Sequence, residues 1–423
     1  MKKSLLAVAA IGAFASAAQA QSSVTVYGIM DLGYVGGNTR VATGGTTNTV
    51  QKATGNTFTG SAESTSRLGF KGTEDLGGGT SAFFTVELGL EPASTTSGFK
   101  NSATTENRQS FAGLKKNGIG DFAIGTQYTL VQNSVAATDA GGTNNILGDM
   151  IYTSATGVAS NTTTLANNNL DNPLAYAAGA SYTIRAQNAL TVNTATFAGF
   201  TGHGLVIMNN TNTTQIPTGT NGGYTGGTNN QNGWGLGLDY TWNKLFVTAA
   251  MQQLNAKNAY AGNANTAAAY NFNVFGAGQA SSLGTNVKDN QYYVGATYDF
   301  GILKAYAQYV SRKATLQQDT GYYAKRTGEQ IGVRSFITPT IEAWAQGGLG
   351  KMTAYGSTNP AANLTSWQVG SNYYLSKRTN LYAIYGQVGT SNVAYSGTGT
   401  NVANQNPSSF NASNYAVGLR HTF

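Results

Sequence analysis

The chain has 423 residues, of which only 10% are charged, 55 are glycine, 24 are tyrosine and none is cysteine. The charged fraction lies far below the ~25% usual for soluble domains. The absence of cysteine excludes thiol catalysis, disulfides and cysteine-bound metals. Beyond residue 20, no stretch approaches the ~18 apolar residues that a membrane helix needs. Few charges without a helical span are typical of a membrane barrel rather than of a soluble domain.

Residues 1–20 are predicted to be a secretory signal. Lys2 and Lys3 form its basic start, residues 5–14 its apolar segment, and residues 18–20 a small-x-small cleavage site. We therefore expect one mature domain, residues 21–423. Without the two leading lysines, the 24 basic residues fall to 22 against 17 acidic ones. This surplus is too dispersed to indicate nucleic acid as a partner, but it would fit a pore that mildly favours anions.

From residue 22 onward, segments of about ten residues alternate in polarity with a period of two, which is the length and pattern of a tilted membrane strand. Seven short turns and eight longer loops separate them. An even number of strands with this asymmetry predicts an all-β fold, a 16-stranded antiparallel transmembrane β-barrel. The predicted strands are 23–34, 64–73, 80–90, 107–115, 121–128, 184–194, 200–208, 233–242, 244–254, 290–299, 303–310, 327–337, 340–349, 364–374, 380–389 and 412–423.

The last predicted strand ends on an aromatic residue with no polar tail. Tyr415, Val417, Leu419, His421 and Phe423 share one face of it. A barrel needs such a strand, because its last strand must pair with its first to leave no open edge. The alternative is an edge strand of a soluble β-sandwich. In the barrel interpretation Tyr415, Val417, Leu419 and Phe423 form a C-terminal assembly signal.

The longest segment between predicted strands is 129–183, rich in Ala, Asn, Thr and Gly. It carries Asp139, Asp149 and Asp171. A structureless loop of this length is unusual in a compact domain. A barrel can house it by folding it into the lumen, which makes the predicted fold a barrel with an inward-folded third loop.

Charged residues within the strands indicate which face of each strand points into the water-filled lumen. An Arg or Lys that faces lipid at mid-membrane costs about 2–4 kcal/mol, so charges opposite the apolar face should point into the lumen. Arg108 and Arg185 stand at the starts of their strands. One interpretation is a transverse field that filters solutes by size and charge; the other is that these charges only solvate the lumen and pair with one another. The inward charges predicted from strand parity are Arg67, Lys71, Arg334, Arg420, Asp31 and Glu87.

No arrangement of residues indicates an enzyme. The two histidines, His203 and His421, are interpreted as structural, and no Ser, His and acidic residues form a recognisable nucleophile. The glycine clusters follow turn spacing and open no helix, which disfavours a phosphate loop. No acidic run supports calcium binding. We therefore expect no catalysis, no cofactor and no metal.

Several motifs, in this order and together with the terminal Phe, resemble the trimeric general porins of Gram-negative outer membranes, above all the β-proteobacterial branch. Together with the signal, the resemblance spans the whole chain. The matching motifs are 24–28 (VTVYG), 66–77 (SRLGFKGTEDLG), 107–114 (NRQSFAGL), Arg185 with 188–190 (NAL), 197–200 (FAGF) and 415–423 (YAVGLRHTF).

The resemblance implies a homotrimer in the outer membrane in which the third loop forms a constriction. Arg67, Arg108 and Arg185 would line it as a basic wall, joined by Lys71 on the same face. Glu87 matches the family's inward Glu, and carboxylates of the third loop should face the arginines. Two departures stand out: the acidic Pro-Glu-Phe-Gly-Gly loop tip is missing, and Thr126 replaces a common Arg. The acidic candidates are Glu87, Asp31, Asp139 and Asp149.

The leading hypothesis is a passive diffusion channel for small ions and hydrophilic solutes, with a mild preference for anions. The alternatives are a substrate-specific channel with a site on the third loop, and a plugged adhesive or structural barrel. An outer-membrane hydrolase is disfavoured because no inward His–Ser pair is visible. The expected partners are two other copies of the chain, outer-membrane lipid and lipopolysaccharide, and the barrel-assembly machinery, which would read the C-terminal strand.

Overall fold

In the computed structural model, the described residues are 23–43, 49–93, 106–152, 181–218, 223–258, 260–262, 285–317, 320, 323–354, 362–393 and 408–423. The predicted signal at 1–20 and the loop residue Asp171 lie outside them.

Eighteen strands and one helix occupy these ranges. The strands are β1 (Ser23–Thr43), β2 (Thr49–Gly60), β3 (Arg67–Gly77), β4 (Thr80–Gly89), β5 (Asn107–Lys116), β6 (Gly120–Tyr128), β7 (Arg185–Thr194), β8 (Phe200–Thr218), β9 (Gly223–Trp242), β10 (Leu245–Asn258), β11 (Tyr260–Gly262), β12 (Thr285–Asp299), β13 (Lys304–Leu316), β14 (Tyr323–Thr338), β15 (Ile341–Ala354), β16 (Ala362–Tyr374), β17 (Thr379–Val393) and β18 (Ser408–Thr422). The helix is α1 (Leu130–Thr138).

These strands fill sixteen positions around a closed barrel. β2 and β3 both pair with β1, at successive heights, and together form one wall position. β11 continues β10 along β9 in the same way. All neighbouring strands are antiparallel and follow chain order, which confirms the predicted antiparallel barrel of sixteen strands.

The barrel closes between its first and last strands. β1 pairs with β18 from Ile29↔Thr422 to Thr43↔Ser408. Beyond this ladder, Phe423 N donates to Gly28 O and Gly28 N donates to Phe423 O, both at 3.1 Å. The terminal residue is therefore part of the closure, as the aromatic end of the sequence predicted.

Side chains alternate between an apolar exterior and a polar interior. Outward residues such as Leu236, Ile331 and Leu349 are exposed, whereas their inward neighbours are buried or polar. Because the strand period is two, this pattern determines which face of each membrane-spanning segment points to lipid. Among the described residues, no helix is long and apolar enough to cross a bilayer.

Three strands run well past the ends predicted for them. β1 ends at Thr43, β8 ends at Thr218 and β9 begins at Gly223, whereas the sequence predicted 34, 208 and 233. β2 lies where a loop was expected. The added residues are mostly Thr, Asn and Gly, which pair as strand but show no apolar face, so polarity alternation cannot reveal them.

Candidate channel lining

The third loop begins with α1, which lies inside the barrel. Thr129 caps it, since its hydroxyl oxygen accepts a hydrogen bond from Gln132 N at 3.3 Å. Val131 and Val135 are fully buried and belong to one apolar cluster with Tyr293 and Val310 of the barrel wall. The helix therefore docks on the inner wall through an apolar face.

The loop then crosses the inner wall towards the barrel closure. Ile146 packs in a second apolar cluster with Trp344, Tyr382 and Ile384 of β15 and β17. Asn145 Nδ2 donates to Ser61 O at 2.7 Å and to Thr65 Oγ1 at 3.1 Å, in the segment between β2 and β3. The described part of the loop, 129–152 and 181–184, thus lies along the wall from β10 to β17, which agrees with the predicted inward fold.

An arginine cluster lies on the remaining wall, on β3, β5 and β7. Glu87 of β4 joins two of its members: Arg67 Nη1 lies 3.7 Å and Arg108 Nε lies 2.8 Å from Glu87 Oε1. Tyr27 donates its hydroxyl to Glu87 Oε2 at 3.1 Å. The Arg108 and Glu87 side chains are only 5% and 4% exposed, so this pair is a buried, charge-assisted contact.

Arg185 joins the cluster through Tyr128 and Glu106. Its Nη1 lies 3.0 Å from Glu106 Oε1, and its guanidinium lies 5.5 Å from the centre of the Tyr128 ring. Tyr128 in turn accepts a hydrogen bond from Arg108 Nη2 at 2.9 Å. The structure therefore brings together the three arginines that the sequence placed on one wall. The side chains of Arg67 and Arg185 are 20% and 25% exposed, so these two present charge to water.

The sequence did not identify Glu106, because it lies one residue before the strand and strand alternation therefore assigns it no face. The hint available was its place two residues before Arg108. With Glu87 and Glu106 counted, the cluster holds three positive and two negative groups. Lys71 lies on the same face, with its ammonium 5.4 Å from the Tyr27 ring.

The other predicted inward charges form separate contacts. Asp31 is fully buried and accepts hydrogen bonds from Ser64 N at 2.6 Å and from the Tyr382 hydroxyl at 2.7 Å. Two further arginines lie near carboxylates that the sequence did not single out: Arg420 of β18 is 3.4 Å from Glu63, and Arg334 of β14 is 3.6 Å from Glu342.

The two loop carboxylates are directed at the wall rather than at the arginine cluster. Asp139 and Asp149 are buried and hydrogen-bonded to each other. Gln330 Nε2 donates to Asp139 at 3.3 Å, and Gln346 Nε2 donates to Asp149 at 3.1 Å. Burial raises the pKa of both carboxyls, and that of Asp149 is raised further by the charge of Asp139.

The histidines contact neighbouring strands, consistent with the expected structural role. His203 lies between Asn193, 2.8 Å from Nδ1, and Asp239, 3.1 Å from Nε2. His421 Nδ1 lies 2.9 Å from Thr379 Oγ1 on the outer face.

Comparison with known proteins decides the family. A family model described as Gram-negative porin matches residues 7–393 of the chain. The chain belongs to the Gram-negative porins. This membership places the porin in the outer membrane, as the sequence predicted.

Individual relatives align over part of their length. An outer membrane porin protein of Bordetella pertussis is 36% identical over 146 residues, which cover 33% of this porin and 37% of that protein. Outer membrane porin protein 32 of Delftia acidovorans is 45% identical over 93 residues, which cover 21% of this porin and 22% of that protein. The aligned stretches thus span about a third or less of these relatives.

Solved structures share the fold. An anion-selective porin from Comamonas acidovorans superposes with a TM-score of 0.62 and 20% identity, covering 95% of this porin and 100% of that chain. OmpT of Vibrio cholerae, in a trimer form, gives a TM-score of 0.55 and 14% identity over 95% of this porin and 99% of that chain. At such identities the likeness shows the barrel fold alone.

Proposed function

We propose that this porin is a passive diffusion channel for small hydrophilic solutes and ions, with a mild preference for anions. The observation that carries the proposal is the asymmetry of the lumen. One wall bears the cluster of Arg67, Arg108 and Arg185. The other wall is covered by the third loop, which is held by amide side chains and by the buried Arg326, whose Nη2 donates to Met150 O at 2.8 Å.

Solutes would be selected by the exposed charges of the lumen and not by a chemical reaction. Arg108 is buried against Glu87 and orients the cluster, whereas Arg67 and Arg185 face the lumen. Three guanidinium groups against two carboxylates leave a surplus of one positive charge, to which Lys71 adds another. Walls of low dielectric focus this field, which raises the local concentration of anions relative to cations.

Planar-bilayer recording of the purified protein tests this proposal. We expect stepwise conductance and, in a salt gradient, a reversal potential displaced towards the anion value. Current that one solute class blocks at low concentration would instead indicate a substrate-specific channel. Absence of conductance would refute the channel and leave the adhesive or structural barrel.

We further propose that the porin forms a homotrimer. The outer surface beside the barrel closure carries exposed aromatic residues: Phe58 is 78% exposed and contacts Tyr34 edge-on, with ring centres 5.4 Å apart. Burial of this surface against a second copy would remove it from lipid and water. Unboiled samples should migrate as a trimer on gels, and identical migration with and without boiling would count against the trimer.

Lipopolysaccharide is the proposed lipid partner, and a belt of outward lysines supports it. The belt lies just beyond the apolar band at the long-loop end of five successive wall positions. Lys313 and Lys325 are directly opposed across β13 and β14, an arrangement that destabilises a sheet unless anions neutralise it. A cavity of about 390 Å³ beside Lys351 is lined by Tyr309 and Leu349. The belt comprises Lys257, Lys288, Lys313, Lys325 and Lys351.

Such a surface suits a phosphorylated, acylated glycolipid, with phosphates on the lysines and a chain in the cavity. Replacement of Lys313, Lys325 and Lys351 by Gln should reduce the lipopolysaccharide retained by the purified porin. The matched control replaces Lys116, Lys244 and Lys377, exposed lysines near the short turns. Equal retention in both variants would contradict the proposal. The barrel-assembly machinery is proposed to read the closing strand, β18.

A further inference from the structure

Six buried glutamines line the inner wall beneath the third loop, one on each of six successive wall positions. They form three directly opposed pairs: Gln252↔Gln291, Gln308↔Gln330 and Gln346↔Gln368. Each is at most 5% exposed. We call this set the glutamine ladder; it comprises Gln252 of β10, Gln291 of β12, Gln308 of β13, Gln330 of β14, Gln346 of β15 and Gln368 of β16.

The ladder bonds the loop backbone at several points. Gln330 Oε1 accepts from Met150 N and Gln346 Oε1 accepts from Gly141 N, both at 2.7 Å. Gln368 Nε2 donates to the carbonyl oxygens of residues 146 and 147, both at 3.0 Å. Gln291 Oε1 accepts from Thr183 N at 2.7 Å, where the loop returns. The ladder therefore holds the loop at its crossing and at its exit.

The amide side chain suits this task because it both donates and accepts. Loop N–H groups need acceptors, loop carbonyls and carboxylates need donors, and an unmet buried polar group costs about 1–3 kcal/mol. A lysine or a carboxylate could meet only one of these needs and would add charge to the lumen. The ladder meets both needs without adding charge of its own to this side of the lumen.

Glycines between the rungs let the loop lie close to the sheet. A Cβ on Gly332 would lie 2.6 Å from Ala140 Cβ, and one on Gly348 would lie 2.6 Å from Met150 Cβ. Both distances are shorter than van der Waals contact allows. Glycines and ladder glutamines therefore alternate along the wall, and together they determine the distance between the loop and the wall.

We propose that the glutamine ladder positions the third loop and thereby sets the opening between the loop and the arginine cluster. The ladder residues are positioning residues, and the proposal rests on the proposed channel function. With the ladder removed, the loop should leave the wall intermittently, because its crossing segment would lose several backbone bonds at once.

The test compares Gln330→Ala/Gln346→Ala with Gln253→Ala/Gln387→Ala. The control glutamines lie on the same barrel, on β10 and β17, but on strand positions opposite in parity to the ladder. We expect the ladder variant to show a higher unit conductance, more open-channel noise and a larger size limit for neutral polymers. Hydrogen exchange over residues 139–152 should also be faster, whereas heat-modifiable migration should be unchanged.

A Gln346→Met variant separates hydrogen bonding from packing, because Met has nearly the same length but cannot donate to Asp149 and accepts only weakly from Gly141 N. It should show increased noise and faster exchange, in the same direction as the double variant. If the ladder variants show the same conductance and hydrogen exchange as the control, the proposed positioning role of the ladder is refuted. The channel proposal would remain intact. If the wild-type protein does not conduct, both the channel proposal and the ladder's role in the channel are overturned. Hydrogen exchange would then still show whether the ladder holds the loop on the wall.

Discussion

A single methyl group at Gly386 should narrow the channel without weakening the sheet. Gly386 lies on β17 beneath the third loop, and the three atoms nearest to a Cβ placed there all belong to Leu147 and Gly148 of that loop. Its backbone needs no left-handed conformation, since it is not among the positive-φ glycines. Gly386→Ala therefore perturbs the seat of the loop and little else.

The displacement can be worked out from the structure. The new Cβ would overlap the carbonyl oxygen of Leu147 and lie 2.6 Å from its carbonyl carbon, whereas ordinary contact begins near 3.4 Å. The carbon must therefore recede by at least 0.8 Å, and the oxygen by more. Because the rigid wall lies behind the methyl group, the loop must move into the lumen. Overpacking of this kind costs about 1–3 kcal/mol. Here the cost makes docking of the loop on the wall less favourable.

Single-channel recording with polymer exclusion measures the effect. We expect a lower unit conductance and a smaller exclusion limit than in the wild type. Gly347→Ala is the matched control, because a Cβ there meets its nearest neighbour, Ser366 O, at an ordinary 3.6 Å. Unchanged conductance in Gly386→Ala would refute the inference that the loop backbone rests on β17.

The contacts of the site and of the barrel closure also determine stability, pH dependence and assembly. In Arg108→Ala, the buried Glu87 keeps the Tyr27 hydroxyl and the more distant Arg67 but loses its closest charged partner. Losing one partner of a buried pair costs about 3–5 kcal/mol, so thermal unfolding should occur at a lower temperature than in Lys71→Ala. An equal unfolding temperature would argue against a buried pair. Burial raises the pKa of Asp149, so docking of the loop is strongest at acid pH and weakens as the pH rises through that raised pKa. Open-channel noise should therefore increase with pH in the wild type, and Asp149→Asn should abolish this increase. An increase that persists in Asp149→Asn would exclude the carboxyl pair as its source. Deletion of Phe423 removes both hydrogen bonds to Gly28 and should lower the amount of assembled barrel in membranes, while normal amounts would contradict its role in closure.

Alternation of polarity sufficed to predict the spanning strands and the inward direction of part of the charged wall. Arg67, Lys71 and Glu87 follow strictly from parity, since a two-residue period leaves each only one face. Arg108 stands beside a register shift between β4 and β5, so parity alone could not have placed it. The family resemblance assigned it to the constriction, and the structure then showed that it is buried.

The loop was harder to predict because its structure depends on contacts distant in sequence. The apolar residues of helix α1 pack in one cluster with Tyr293 and Val310, which lie more than a hundred residues away in sequence. The glutamine ladder was invisible for a related reason. Its members lie on six different strands, and only the strand registers align Gln252 with Gln291 and Gln346 with Gln368. Asp139 and Asp149 could be assigned to the loop, but not to its wall-facing side.

The most direct test of the channel account is the reversal potential of Arg67→Gln/Arg185→Gln in a salt gradient. The matched control is Arg334→Gln/Arg420→Gln, which removes two inward arginines of similar exposure, 26% and 28%, outside the cluster. We expect the cluster variant to lose the anion preference and the control to keep most of it. An equal reversal potential in wild type and cluster variant would contradict a filter built on the arginine wall.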